Sequence, residues 1–210
     1  MKRIGISAAF AVLLGAAAMA AGPGDGLPAG DYKLDPSHAS LIFRVEHMGF
    51  SHYTGRFGAF DAQLRLDPAD PAKAALTATV QAGSLGLENP PPGFLEEMTG
   101  AHWLNAGAHP EMTFVSKQIE MTGPDTAKVV GDFTFNGVTK PVTLDVRFNG
   151  GTPGHERDPH ARLGFSAAGE LKRSEFGVSF GVPEPGSKMG VSDEVEIIIE
   201  AEFTGPAWKR

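Results

Sequence analysis

A serine flanked by two glycines has the spacing in this sequence that most resembles a catalytic nucleophile. The segment Gly177-Val178-Ser179-Phe180-Gly181 satisfies the G-x-S-x-G pattern, in which a serine projects from a sharp turn between a strand and a helix. Here Pro183 and Pro185 follow at once, and the segment itself alternates as a strand does. The helix that the motif requires therefore cannot form. We predict no catalytic role for Ser179.

Histidines and adjacent carboxylates give no recognisable catalytic or metal site either. The chain has seven His residues, but none occurs in an H-E-x-x-H or comparable spacing. His155 and His160 lie in a polar stretch, and structural histidines explain the other five better than metal ligands do. Glu96 and Glu97 are neighbours in a helix-like segment and face different directions, which makes a poor acid–base pair. We predict no catalytic residues, no metal, no cofactor and no enzyme activity.

The first 20 residues have the pattern of a secretory signal peptide. Lys2 and Arg3 form a basic start, residues 4–17 form an apolar core, and Ala18-Met19-Ala20 is an A-x-A cleavage site. The alternative, a membrane anchor, needs about 20 apolar residues and firmer flanks. We therefore predict export to the periplasm and cleavage after about Ala20. Residues 21–30 predict a flexible Gly/Pro-rich lead-in, and residues 31–205 predict one domain.

Composition restricts the partners of the mature chain. The chain has no Cys, so it carries neither a lipid anchor nor disulfides, and core burial alone must stabilise it. Loss of the signal peptide moves the formal net charge from −7 to about −9. Such an acidic chain repels phosphate backbones, so we predict no nucleic-acid partner. No second apolar run approaches membrane-spanning length, so we also predict no stable membrane insertion.

Alternation of apolar and polar residues predicts β-strands along most of the chain. In the first such segment, Leu41, Phe43 and Val45 are separated by residues that face the other way, as in a strand with one buried face. The Asn136-Gly137 pair lies between two such runs and predicts a type I′ turn, because both residues tolerate positive φ. The predicted strands are residues 39–47, 60–66, 76–81, 112–119, 128–135, 138–148, 163–171, 176–182 and 195–203.

One segment departs from the period of two. Apolar residues from Phe94 to Leu104 recur at three- and four-residue steps, which predicts one short helix. Roughly eight to ten strands with a single helix favour an all-β, antiparallel barrel over a parallel sheet. A β-sandwich remains the alternative, because both architectures bury one face of every strand.

Several separated segments of the chain have the form of family motifs. They are YKLDPSHA (32–39), FRVEHMG (43–49), GRF (55–57), WLN (103–105), HPEMTF (109–114), GDFTFNGVTKPVTL (131–144), RSEFG (173–177) and SDEVEI (192–197). They resemble the YceI-like family of bacterial lipocalin-like barrels associated with polyisoprenoid binding. Their order matches the family and covers nearly all of the mature chain. The segment from Ser84 to Met98 departs from the family pattern, which leaves the ligand contacts of the helix open.

The resemblance implies an antiparallel lipocalin-like barrel of about eight strands that holds an isoprenoid lipid, of the polyprenyl phosphate or quinone type. Fourteen Phe against two Tyr and two Trp suit an apolar lining. On the residues alone a packed core explains these Phe residues better, and the family resemblance reverses that order. Met98 and Trp103 are predicted to cover the opening. Strand parity predicts these inward residues: Leu41, Phe43, Val45, Phe60, Leu64, Val80, Phe114, Phe133, Phe135, Leu144, Phe148, Phe165, Leu171 and Phe176.

The dimensions of such a barrel limit the length of its ligand. A strand of about nine residues spans about 30 Å, and a tilt near 40° leaves roughly 23 Å of depth along the barrel axis. An extended polyprenyl chain of about eight units would not fit within that depth. Either such a chain folds back, or its head protrudes, or the ligand is shorter.

Arg173 is the residue that we predict to bind an anionic head group, because its planar guanidinium can pair two oxygens. An ion pair with a neighbouring carboxylate on the barrel rim is the alternative. The first functional hypothesis is a periplasmic carrier of an isoprenoid lipid. An enzyme that modifies such a lipid, and a packed barrel that serves as a stress-response or protein-interaction module, are the others. The sequence leaves homodimer formation open.

Overall fold

Most of the alternating segments form β-strands in the structure, a computed structural model that describes residues 26–208. The predicted signal peptide, residues 1–20, lies outside the described residues. The elements are β1 (Gly30–His47), β2 (Ser51–Phe57), β3 (Phe60–Leu66), β4 (Ala75–Gln81), β5 (Leu85–Leu87), α1 (Phe94–Thr99), β6 (Glu111–Met121), β7 (Thr126–Phe135), β8 (Val138–Thr152), β9 (His160–Lys172) and β10 (Val191–Ala207).

Strand β1 closes the sheet into a barrel. Residues 30–33 of β1 pair with β3, and most of the strand pairs with β10 on its other side. The closed circuit of eight strands is β1-β3-β4-β6-β7-β8-β9-β10, and every pairing in it is antiparallel. The other two strands, β2 and β5, extend the sheet beside residues 41–47 of β1. The predicted antiparallel barrel is confirmed, and the β-sandwich alternative is wrong.

The predicted β7–β8 hairpin is also confirmed. Asn136 and Gly137 have φ values of 49° and 75°, the positive angles that a type I′ turn requires. The Asn136 side chain then fixes the turn to two other segments. Its Oδ1 accepts a hydrogen bond from Asn105 Nδ2 at 2.9 Å, and its Nδ2 donates to the carbonyl oxygen of Phe176 at 3.0 Å. The turn therefore holds together chain segments that are far apart in sequence.

The predicted helix over residues 94–104 is too long. Helix α1 ends at Thr99, and the N–H of Gly100 donates to the Glu97 carbonyl oxygen at 3.0 Å in an extended conformation. Residues 101–104 then form turns. A Cβ atom at Gly100 would lie 3.0 Å from the carbonyl oxygen of Glu97 and 3.3 Å from that of Glu96, so a larger residue would be crowded at this position.

The predicted strand over residues 176–182 is wrong. Residues Arg173–Phe176 form a 3₁₀ helix, which ends at Gly177 with a φ of 78°, and the residues that follow form a loop up to β10. The alternation of apolar residues in this segment therefore does not indicate a strand. Strands β2 and β5, in contrast, were not predicted. The inward positions of β2 include Gly55, which hides the period of two.

The described end of the lead-in packs against the barrel. Leu27 contacts one of the two core clusters, and the carbonyl oxygen of Pro28 accepts a hydrogen bond from the Tyr32 hydroxyl at 2.6 Å. Tyr32 has no exposed surface, and burial raises the pKa of its hydroxyl. Its ring lies directly against Gly205 of β10, where a Cβ atom would overlap the ring carbons.

Replacement of Gly205 by alanine should therefore destabilise the barrel. We expect Gly205→Ala to lower the free energy of unfolding by about 1–3 kcal/mol, because the methyl group forces the Tyr32 ring out of a closely packed position. Urea-induced unfolding measures the difference. The matched control is Gly164→Ala in β9, where the new methyl group would have its nearest neighbour 3.8 Å away. Equal stability of the two variants would contradict this account of Gly205.

Candidate ligand-binding cavity

A cavity of about 990 Å³ lies inside the barrel and runs along its length. At one end, here called the helix end, the wall includes Phe94 and Met98 of α1 and Trp103 of the following turn. At the opposite end, here called the far end, the wall includes Pro68 and Pro124 from the β3–β4 and β6–β7 connections. Between these ends the wall consists almost entirely of aliphatic and aromatic side chains.

The structure brings 16 of the 17 predicted ligand-binding residues into the wall of this cavity. They comprise all of the predicted strand residues from Leu41 to Leu171, together with Met98, Trp103 and Arg173. Because side chains alternate between the two faces of a strand, correct strand parity was sufficient to place the inward set. Their contact with a ligand stays a prediction.

Phe176 is the residue that was placed wrongly. It is 1% exposed, but it does not belong to the cavity wall. Its ring packs behind the wall against the rings of Phe133 and Phe135, with centroids 5.5 and 5.9 Å away. The error has a simple cause: Phe176 lies in a 3₁₀ helix, to which strand parity does not apply.

Sequence reasoning missed several wall residues. Tyr53 and Phe57 come from the unpredicted strand β2, and Leu85 comes from the unpredicted strand β5. His47 continues the inward set of β1 two residues beyond Val45. The period of two could have found His47, but its polar side chain does not match the apolar pattern.

The side chains leave the interior of the barrel open. Its volume of about 990 Å³ lies at the upper end of the usual range for small-molecule sites, about 300–1,000 Å³. The packed barrel expected under the interaction-module hypothesis is therefore not what the structure has.

Arg173 lies at the helix end and hydrogen-bonds to the backbone. Its Nε donates to the carbonyl oxygen of Ser192 at 2.9 Å, and its Nη2 donates to that of Val191 at 2.8 Å. Its Nη1 donates to the carbonyl oxygens of Val178 and Phe180, at 2.9 and 2.8 Å. These bonds hold the loop that follows the 3₁₀ helix against the start of β10.

Neither predicted role of Arg173 matches this geometry. The side chain is only 4% exposed, and no carboxylate in the described part of the chain forms a salt bridge with it. Burial lowers the pKa of Arg173, while the charge of nearby Asp193 opposes that shift. Because four of its five N–H groups already have acceptors, the guanidinium has no free pair of donors for a phosphate.

Aromatic rings cover Arg173 at the helix end. The guanidinium carbon lies 5.1 Å from the centre of the Trp103 ring, in cation–π contact. Phe180 packs edge-on against Trp103, with centroids 5.5 Å apart, and against His102 at 5.4 Å. The Trp103 Nε1 is buried without a hydrogen-bond partner among residues 26–208. Ring contacts therefore hold Trp103 in place.

Four of the segments that carried the family resemblance, residues 103–105, 131–144, 173–177 and 192–197, meet at this end of the barrel. Asn105 and Asn136 bond to each other, and Asn136 bonds to Phe176 as described above. Ser174 donates from its backbone N and its Oγ to the two carboxylate oxygens of Asp193, each at 2.8 Å. These four segments thus form part of the closure of the barrel at the helix end.

The other candidates from the sequence do not form a site. Ser179 is exposed in the loop, and no histidine in the described residues hydrogen-bonds to it. Within residues 26–208 no group of three or more His, Asp or Glu is arranged to hold a metal ion. Across the same residues, no helix combines the length and apolarity needed to cross a bilayer.

Comparison with known proteins gives a consistent result. A family model described as the YceI-like domain matches residues 32–203. A UPF0312 protein of Serratia proteamaculans is 34% identical over 192 residues, which cover 90% of this chain and 93% of that protein. The crystal structure of BcnA from Burkholderia cenocepacia superposes with a TM-score of 0.68 at 26% identity, over 80% of this chain and 98% of BcnA.

A more distant structure has the same fold. A polyisoprenoid-binding domain from Saccharophagus degradans, implicated in plant cell wall breakdown, superposes with a TM-score of 0.60. The match covers 83% of this chain and 98% of that domain, at 13% identity.

Removal of the Arg173 guanidinium should destabilise the protein strongly. We expect Arg173→Met to lower the free energy of unfolding by about 3 kcal/mol or more, because each buried carbonyl that loses its donor costs about 1–3 kcal/mol. Arg173→Lys should recover only part of this, since an ammonium group cannot reproduce the planar fork.

Urea-induced unfolding of the variants measures the effect. Arg65→Met is the matched control, because Arg65 is an exposed residue of β3, and its replacement should change stability by no more than about 0.5 kcal/mol. An Arg173→Met protein as stable as Arg65→Met would contradict a structural role for Arg173.

Proposed function

Since the chain belongs to the YceI-like family, we propose that it binds an isoprenoid lipid in the barrel cavity and carries it through the periplasm without chemical change. The observation that carries this proposal is the open, almost wholly apolar interior of about 990 Å³. Burial of apolar ligand surface there is favourable by about 0.8 kcal/mol for each methylene. A fraction of the available chain length is enough for micromolar affinity.

The proposed carrier role follows from the solubility of the ligand. Long isoprenoids are almost insoluble in water, so their transfer across an aqueous compartment requires a sheltered apolar site. The Saccharophagus domain of the same fold is described as polyisoprenoid-binding, which supports this class of ligand. The signal peptide pattern of residues 1–20 supports the proposed compartment.

A variant that fills the cavity tests the proposal. Ala167 of β9 belongs to the cavity wall, whereas the next residue, Ala168, is exposed on the outer face. We expect Ala167→Trp to weaken binding of the isoprenoid hydrocarbon squalene at least about tenfold, because displacement of two methylene-sized groups already costs about 1.6 kcal/mol. Equilibrium binding to delipidated protein measures the affinity, and Ala168→Trp should leave it unchanged.

Two outcomes would count against the proposal. One is the absence of saturable binding of squalene by the unmodified protein. The other is an equal loss of affinity in both alanine variants. Native mass spectrometry of the protein purified from its own cell envelope gives independent evidence, because a bound isoprenoid should appear as a discrete adduct that organic solvent removes.

A further inference from the structure

The most exposed large apolar side chains of the described residues lie on two loops at the helix end. They are Phe50, Met189 and Phe180, which are 79%, 68% and 53% exposed. Phe50 is in the turn between β1 and β2, and the other two belong to the loop of residues 177–190 that precedes β10. The remaining exposed large apolar side chains are in β6 and are only 40% exposed. The three side chains at the helix end are here called the apolar tips.

Backbone hydrogen bonds hold the two loops side by side. The N–H of Met48 donates to the carbonyl oxygen of Gly190 at 2.8 Å, and the N–H of Val191 donates to that of Gly181 at 2.9 Å. Three of these four residues lie within two positions of an apolar tip in the sequence. The tips therefore share one surface of the molecule, although they come from loops that are far apart along the chain.

The apolar tips border the proposed ligand cavity. His47 and Val191 of the cavity wall directly adjoin the two loops in sequence. Phe180 packs edge-on against Trp103, another wall residue, with ring centroids 5.5 Å apart. A surface that takes up the tips would therefore also lie against the helix end of the cavity.

The charges near the tips do not attract an anionic surface. Lys188 is the only Lys or Arg in the two loops, and its Nζ lies 3.1 Å from Glu46 Oε1. Glu184 of the same loop is exposed, and so are the two glutamates of α1. Electrostatics therefore favour a surface without net charge over an anionic one.

The area of the tips is too small for a stable protein interface. At about 200 Å² for one large apolar side chain, the three expose at most about 400 Å², whereas a standard interface buries about 800 Å² on each partner. Each tip is also next to a glycine in the sequence, at Gly49, Gly181 or Gly190. Large apolar side chains that stand out singly beside glycines suit insertion into a fluid bilayer better than contact with a second rigid protein surface.

We propose that the apolar tips insert into the surface of a zwitterionic phospholipid bilayer, so that the barrel docks on a membrane with its helix end. Docking brings the cavity to the medium in which isoprenoids dissolve, so a ligand can be exchanged without passing through water. This inference rests on the proposed carrier function and adds the surface at which the carrier meets the membrane.

Sedimentation with phosphatidylcholine vesicles measures the docking. We expect the protein to bind these vesicles, and the double variant Phe50→Ser, Met189→Ser to bind at least about tenfold more weakly, because it loses most of the inserted apolar area. Val115→Ser is the matched control, since Val115 is an exposed apolar residue on the outer face of β6. It should bind as the unmodified protein does. Vesicles of phosphatidylcholine and phosphatidylglycerol in equal parts should bind the protein no more tightly.

A fluorescent side chain at one tip reports insertion directly. Brominated phosphatidylcholine should quench the additional emission of Phe50→Trp and leave that of Val115→Trp unquenched. Absence of vesicle binding by the unmodified protein, an equal loss of binding in Val115→Ser, or tighter binding to the anionic vesicles would each overturn the inference.

A squalene measurement separates this inference from the proposed function. The apolar tips lie outside the cavity wall, so the double variant should bind squalene in solution as tightly as the unmodified protein does. Failure of the unmodified protein to bind squalene, with vesicle binding intact, would overturn the proposed function and leave the docking surface in place.

Discussion

The hydrogen bonds of one buried guanidinium determine the shape of the helix end. Arg173 donates to carbonyl oxygens of four residues, two in the loop after the 3₁₀ helix and two at the start of β10. Without that donor, the carbonyl groups of Val178 and Phe180 would lose a hydrogen-bond partner, which disfavours the position of the loop at the end of the barrel. Trp103 packs on this group and Phe180 packs on Trp103, so the positions of both rings depend on the same bonds.

The connections at the ends of a closed barrel need hydrogen-bond partners from side chains. The sheet satisfies its own backbone groups from β1 to β10, but the connections at its ends have no neighbouring strand. At the helix end, side chains take over this role. Asn136 joins the β7–β8 turn to Phe176, and Asp193 accepts two hydrogen bonds from Ser174. Motif residues such as Asn136, Arg173 and Ser174 therefore complete the hydrogen bonding at this end, while the cavity wall requires apolar side chains at alternate positions.

The difference between the hydrogen-bonding residues of the helix end and the apolar residues of the cavity wall explains which parts of the structure the sequence predicted. Strand parity placed residues such as Phe43, Phe114 and Phe165 in the wall, because the period of two is a local property of the chain. The conformation of the segment around Phe176 depends instead on Arg173, whose acceptors lie up to 19 residues away in sequence. The local alternation of apolar residues gives no information about such distant hydrogen bonds. Strand β2 was missed because Gly55 occupies an inward position; it has to be glycine, since a Cβ there would overlap the Phe43 ring.

The same difference between apolar wall residues and polar residues at the barrel end determines which ligands the cavity can distinguish. An apolar wall gives affinity in proportion to buried area but discriminates little between isoprenoids of similar length. Discrimination has to come from polar groups that remain unpaired after the barrel has been closed. Four of the five N–H groups of Arg173 are used in that closure, although its charge suggested a ligand role. The polar side chains of Tyr53 and His47 form no hydrogen bond in the described part of the chain, so they take no part in it.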